Sequence, residues 1–178
     1  DPAFNFTYRE NIARLAKQGN ITYFSPLYGN ELPKADLIYL PGGYPELFAR
    51  QLHRRYKMME ALKEYAERGG KILAECGGMV ILGRSLKSRE NGTAYPMSQI
   101  LPIDFVMPAV PKLYSGYRKT TYHDMELKGY EFRYSIIQLD DTLTECRINP
   151  ITNLKGTEDI LPFYRYKNVI ASYAHWYW

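Results

Sequence analysis

Cysteine, histidine and long stretches of one charge sign are all scarce in this chain. Its 178 residues include two cysteines and three histidines, with 23 Lys+Arg scattered against 19 Asp+Glu for a net charge of +4. Cys76 and Cys146 are too few and too far apart for a disulfide framework or a zinc site, both of which need more ligands at closer spacing. No metal is expected. Without a block of Lys and Arg the chain carries no electrostatic footprint for nucleic acid. No apolar run approaches the roughly 18 to 20 residues of a membrane-crossing helix, and the amino end has no signal-peptide pattern of basic, apolar and small regions. A Gly-x-x-x-x-Gly-Lys-Ser/Thr phosphate loop is missing, so ATP chemistry cannot be assigned to these residues. Repeats and low-complexity tracts are missing too. What remains is a chain expected in the cytoplasm, with neither a nucleic-acid nor a membrane partner. Its length fits one domain, and 46% hydrophobic against 24% charged residues is ordinary globular usage. An opening at Asp1 and a stop at Trp178 inside an aromatic run suggest an excised domain whose flanking parts lie elsewhere.

The first half alternates helical and strand patterns. Residues 10–19 read as a helix, with Ile12, Leu15 and Ala16 on one face, a Glu10/Arg14 pair one turn apart and Gly19 as a stop. Residues 21–24 read as a short strand closed by Ser25-Pro26. Residues 36–40 form an apolar run ending at Pro41-Gly42-Gly43, as a strand buried on both faces would. Helices follow over 45–54 and 56–68, then a strand over 71–75 that runs into Cys76-Gly77-Gly78 and a helix over 79–82. This order predicts a doubly wound α/β domain with a mostly parallel sheet, whose site lies at the carboxyl ends of the strands. The two Gly-rich loops fall at those ends and are expected to face each other. After about residue 95 the pattern changes: residues 113–122 and 130–139 read as an antiparallel extension, 140–167 as a long loop or insertion, and 169–174 as a last strand delivering His175.

Ala74-Glu75-Cys76-Gly77-Gly78, between a strand and a helix, has the layout of a nucleophile elbow. A thiol there gains from the unpaired N–H groups of the helix start, which lower its pKa. The Gly77 N–H would point at the oxyanion formed when Cys76 attacks a carbonyl. The plain alternative is a buried free cysteine, the common fate of lone cysteines. In the 40–46 loop, Gly42 or Gly43 would supply a second oxyanion N–H, while a simpler reading is a tight turn with Pro45 at the first helical position. The nucleophile needs a base. His53 lies among arginines and His123 in a loop segment, which leaves His175.

Four segments carry a resemblance: Leu40-Pro41-Gly42-Gly43-Tyr44-Pro45-Glu46-Leu47, Ala74-Glu75-Cys76-Gly77-Gly78-Met79, Gly129-Tyr130-Glu131-Phe132-Arg133-Tyr134-Ser135 and Ala171-Ser172-Tyr173-Ala174-His175. In this order they resemble the class I glutaminase domain of the cobyrinic acid a,c-diamide synthase family, and Asp1 to Phe6 resembles that domain just after its first strand. The resemblance spans residues 1–178 and implies a class I glutamine amidotransferase-like fold. It implies that Cys76 attacks the side-chain amide of glutamine, forming a thioester and releasing ammonia, with His175 as base. It implies no cofactor in this chain; ATP and magnesium belong to a synthetase domain absent here, through which the tetrapyrrole acceptor is reached. Class I glutaminases usually carry Glu two residues after the histidine, where this chain has Tyr177, so the group orienting His175 is not named by the sequence. Glu131 is a candidate site-shaping residue, with a structural role as the alternative.

Three rival readings remain. One keeps the glutaminase chemistry but amidates another acceptor, such as nickel-sirohydrochlorin. A second is a cysteine hydrolase of the same fold. A third is an inactive binding module whose 17 tyrosines and terminal aromatic run mark a partner surface. Against that last reading, Tyr173 is expected to pack inside.

Overall fold

A computed structural model describes residues 1–138, 146, 148, 150–157 and 163–178. Helix α1 (Arg9–Gln18) is followed by β1 (Leu37–Leu40), a 3-10 turn over Pro45–Phe48, α2 (Ala49–His53), α3 (Tyr56–Glu67), β2 (Lys71–Glu75) and the single-turn α4 (Gly77–Val80). Short strands β3 (Ser85–Lys87), β4 (Ala94–Pro96) and β5 (Asp104–Val106) lead to the long strands β6 (Tyr114–Tyr122) and β7 (Met125–Arg133). The chain closes with β8 (Ile136–Gln138), β9 (Thr152–Asn153), β10 (Tyr164–Tyr166), β11 (Val169–Ser172) and β12 (Ala174–Tyr177).

The central sheet runs β1-β2-β11-β10, with β1, β2 and β11 parallel and β10 antiparallel at the edge. Its parallel strands bury Ile38, Leu40, Ile72, Ala74, Val169 and Ala171 on one face. On the other, Tyr39, Leu73 and Ile170 are only half-buried and Leu37 is exposed, so β1 is not covered on both faces as its apolar run led one to expect. Leu40 pairs with Ala74 and Ala171 with Ala74 from the other side, so three carboxyl ends sit in register. The 41–43 loop, Cys76 and the segment after Ser172 therefore emerge side by side. Helix α3 buries Met58, Met59, Leu62 and Ala66, the stripe that its helical spacing sets. The fold class matches the doubly wound expectation, with the antiparallel extension in the second half.

Several elements differ from the sequence reading. Residues 21–24 form no strand; Tyr23 is 78% exposed, and a run that buries so little has no ladder partner to hold it. On α1 the buried residue is Asn11 rather than the apolar stripe: its amide donates to the Trp176 carbonyl at 2.6 Å and accepts from Trp178 N–H at 3.3 Å. Strand β7 starts at Met125, because His123 and Asp124, at φ 45° and 62°, make a two-residue hairpin turn of the favoured twist. Residues 136–138 leave that hairpin for a third sheet, β4-β3-β5-β8. Of the expected 140–167 loop, residues 140–145, 147, 149 and 158–162 lie outside the described residues, as does 139; the described part holds β9 and β10.

The last expected strand splits. Strand β11 ends at Ser172, and after Tyr173 the chain crosses to the antiparallel sheet β12-β7-β6-β9, where His175 pairs with Tyr130. Two burials force this crossing. Tyr173 packs edge-on to Phe105, while Trp176 enters a second cluster with Ile151 and Phe163 and donates its indole N–H to Ser172 Oγ at 2.8 Å. His175 thus lies within a strand of one sheet, facing the ends of another. Tyr173 and Trp176 are both buried and offer nothing to a partner surface.

Candidate active site

Cys76 is the hinge of the turn from β2 into α4. Its φ of 47° and ψ of −110° put a non-glycine residue in a costly backbone region. Such strain persists only where neighbours over-determine it. Cys76 N–H donates to the Ser172 carbonyl at 2.8 Å, and its carbonyl accepts from Met79 N–H at 2.9 Å. The thiol donates to the Phe132 carbonyl of β7 at 3.3 Å. Glycines let the turn close: a Cβ on Gly77 would lie 2.8 Å from the Gly43 carbonyl oxygen, and one on Gly78 2.1 Å from that of Leu40. The two Gly-rich loops meet face to face.

The 41–43 loop also borders His175. A Cβ on Gly42 would lie 2.0 Å from Cε1 of the imidazole and 2.8 Å from Nδ1. Gly42 accepts a backbone hydrogen bond from Phe6 at 3.0 Å, and the Phe6 ring covers His175 edge-on at 4.5 Å. Gly43, at φ 155°, lies against the Ala3 carbonyl, so the amino-terminal segment clamps the loop. Asp1 anchors that segment by accepting from Ser25 Oγ at 2.6 Å and Leu27 N–H at 2.9 Å.

Charge around the thiol departs from the low pKa expected at a helix start. Burial pushes the Cys76 thiol up to about 12, and the Glu46 carboxylate adds to this; the Gly77 N–H and the Arg133 guanidinium pull the other way. The reason is that α4 is one turn long and the thiol is 5% exposed, so desolvation wins over the few N–H groups available. Burial likewise holds His175 down at about 4. The resting pair is a neutral thiol and a neutral imidazole. Glu46, quoted in the sequence motif but assigned no role there, has its carboxyl raised to about 7 by burial. The signal for it was the acidic residue right after the Gly-Gly-Tyr-Pro turn. Glu131 is buried, with Arg118 at 2.6 Å and Arg133 at 2.5 Å. Arg133 also stacks on the rings of Tyr114 and Tyr173. The carboxylate of Glu131 is committed to two guanidiniums behind the thiol.

A cleft of about 660 Å³ is lined by Tyr44, Glu46, Arg50, Arg89, Tyr95 and Tyr134 among others. Tyr44 and Glu46 both lie within electrostatic reach of Cys76. Glu75, the residue before the nucleophile candidate, was not singled out from the sequence. It is fully buried, and its Oε2 stands 4.0 Å from His175 Nδ1. Among the described residues, no group of three or more His, Cys, Asp or Glu could hold a metal ion, and no helix is long and apolar enough to cross a membrane.

Similarity to known proteins agrees with this arrangement. The chain is 36% identical to cobyrinate a,c-diamide synthase of Picrophilus torridus, over 99% of this chain and 39% of that protein. It is 37% identical to the Thermoplasma acidophilum enzyme of the same name, over 98% of this chain and 40% of that protein. The chain thus spans about 40% of the length of these curated relatives. Among solved structures, a glutamine amidotransferase from Thermotoga maritima superposes with a TM-score of 0.58 at 14% identity, covering 98% of this chain and 72% of that one. Another glutamine amidotransferase gives 0.54 at 16% identity, over 79% and 70%. Both bear on the fold alone. Residues 1–178 match the family model of the CobB/CobQ-like glutamine amidotransferase domain, and the chain belongs to that family.

Proposed function

We propose that this chain is the glutamine-hydrolysing part of a cobyrinate a,c-diamide synthase, with Cys76 as nucleophile and His175 as base. The observation that carries the reading is the strained Cys76 turn closed against the Gly42-Gly43 loop, which itself borders the His175 ring. In this mechanism Sγ bonds to the side-chain amide carbon of glutamine while its proton passes to His175, so no free thiolate is needed beforehand. The carbonyl oxygen becomes an oxyanion facing the Gly77 N–H and an N–H of Gly42 or Gly43. The carbon–nitrogen bond then breaks as His175 returns the proton to nitrogen, releasing ammonia and leaving a glutamyl thioester on Cys76. Water attacks the thioester as its proton goes to His175, and the carbon–sulfur bond then breaks as His175 passes that proton to sulfur, giving glutamate and restoring both the thiol and the neutral imidazole.

Glutamine enters through the cleft beside Tyr44 and Glu46. Glu46 suits its ammonium group, and Arg50 and Arg89 suit its carboxylate, because a zwitterion needs both signs within one pocket. The ammonia amidates acetate side chains of a corrin, the acceptor implied by the relatives' names. ATP and magnesium serve that second reaction in a synthetase part. The residues of this chain do not fit them: there is no phosphate loop in the sequence and no metal-holding cluster among the described residues.

The test is intact mass and peptide mapping after treatment with 6-diazo-5-oxo-L-norleucine, a glutamine mimic, beside Cys76→Ser and with glutamine as competitor. A single adduct on Cys76, absent from Cys146 and blocked by glutamine, is the expected result. No adduct while iodoacetamide still reaches Cys76 would refute the glutaminase reading.

A further inference from the structure

His175 is buried, at 3% exposure, and its Nδ1 has no hydrogen-bond partner among the described residues. A neutral imidazole carries one hydrogen and one lone pair, and it serves as base at one nitrogen only if the hydrogen is kept on the other. Something must therefore select the tautomer. The usual place for that group, two residues on, is Tyr177, which stacks on Tyr8 at 4.0 Å and has no carboxylate to offer.

The carboxylate that faces Nδ1 comes from the other side of the catalytic turn. Glu75 ends β2, directly before Cys76, and its Oε2 lies 4.0 Å from His175 Nδ1. Its orientation is fixed by donors on three sides. Tyr39 Oη donates to Oε2 at 2.8 Å, and Trp176 N–H and Trp178 Nε1 donate to Oε1 at 3.2 and 3.3 Å. Tyr39 is in turn held by Thr7 Oγ1 at 2.8 Å. Oε1 has both lone pairs engaged, whereas Oε2, the oxygen nearer Nδ1, accepts from Tyr39 alone and keeps one free. A small rotation of the ring closes 4.0 Å to hydrogen-bond distance. Because Trp176 follows His175 directly, the same carboxylate that receives the Trp176 N–H also fixes the height of the histidine backbone.

We propose that Glu75 is the positioning residue of His175, holding the hydrogen on Nδ1 so that Nε2 is free to take the Cys76 proton. Nucleophile and positioning acid are thus neighbours in sequence, one ending β2 and the other forming the strained turn after it. The proposal rests on the Cys76/His175 reading above and is tested so that the two can fail separately.

The experiment uses protein labelled with 15N-histidine, in which the imidazole shifts report which nitrogen of His175 carries hydrogen. His175→Asn assigns the signal. The same samples are assayed for the rate of Cys76 alkylation by 6-diazo-5-oxo-L-norleucine over a range of pH and reagent concentration. The parent should show the Nδ1–H tautomer. Glu75→Gln turns an amide N–H toward Nδ1, so it should flip His175 to Nε2–H and slow the maximal alkylation rate by about 10²- to 10⁴-fold, as loss of a tautomer-setting carboxylate does elsewhere. The half-saturating concentration should not change. Burial pushes the Glu75 carboxyl up to about 7, so the tautomer is compared above that pH; Glu75→Asp, also charged there, should keep the tautomer and recover part of the rate. An Nε2–H tautomer in the parent would overturn the proposal even if Glu75→Gln does not fold. So would an unchanged tautomer and rate in a folded Glu75→Gln. A Glu75-dependent Nδ1–H tautomer in a protein whose Cys76 is never alkylated would leave the pairing standing and remove the glutaminase reading instead.

Discussion

Gly42→Ala is the sharpest perturbation that the geometry offers. The added Cβ would lie 2.0 Å from His175 Cε1, while ordinary van der Waals contact starts at 3.4 Å, so ring or loop must move by about 1.4 Å. The loop has little freedom, being held by the Phe6 hydrogen bond at 3.0 Å and packed against Gly77. The ring is the softer partner, confined by Phe6 at 4.5 Å but with an unbonded Nδ1. A displacement of about 1 Å at a catalytic group costs on the order of 10²-fold in rate, so Cys76 alkylation by the diazo ketone should slow by about that much or more. Overpacking of this kind costs about 1 to 3 kcal/mol, measurable as a lower urea midpoint in a still cooperative transition. Gly19→Ala is the control: its φ is extended at 177°, a Cβ there meets nothing within 4 Å, and neither rate nor midpoint should move much. A Gly42→Ala protein alkylated at the parent rate would refute the placement of His175 against this loop.

Three further outcomes are expected. His175 is held from its ordinary 6.5 down to about 4 by burial, so the unfolded chain binds its proton first, and this group's stabilising contribution is present above pH 6.5 and lost as pH falls through 4. The unfolding free energy of the parent relative to His175→Asn, from urea titrations, should therefore decline over that window by up to about 3 kcal/mol; parallel pH profiles would contradict this. Glu131→Gln leaves Arg118 and Arg133 without their shared carboxylate and should destabilise the fold by about 3 to 5 kcal/mol. A denaturation midpoint within experimental error of the parent would show that the ion triad is not what holds β6 to β7 beneath the thiol. Asn11→Ala removes the bonds to the Trp176 carbonyl and Trp178 N–H; thermal unfolding should reveal a loss of about 1 to 3 kcal/mol, and faster exchange of the Trp178 indole proton is expected with it.

The sequence by itself determined the parts whose signal is local. Apolar runs ending in Gly-rich turns marked β1 and β2, helical spacing marked α3, and a cysteine between a strand and two glycines marked the elbow. Histidine scarcity left one base candidate, and the structure sets the ring of that residue beside Gly42. Only tertiary structure decided the rest. The path of the chain through His175 depends on burying Trp176 and Tyr173 in different clusters, a competition between sheets that no window of sequence contains. The thiol's high pKa follows from burial beside Glu46, a residue 30 positions away. Glu75 reads in sequence as one more residue of the elbow motif. It becomes the carboxylate facing His175 because β2 and β12 meet there, bringing together residues that are 100 positions apart. Local patterns fix where a backbone turns, while the environment of a charge is set by whatever the fold packs against it.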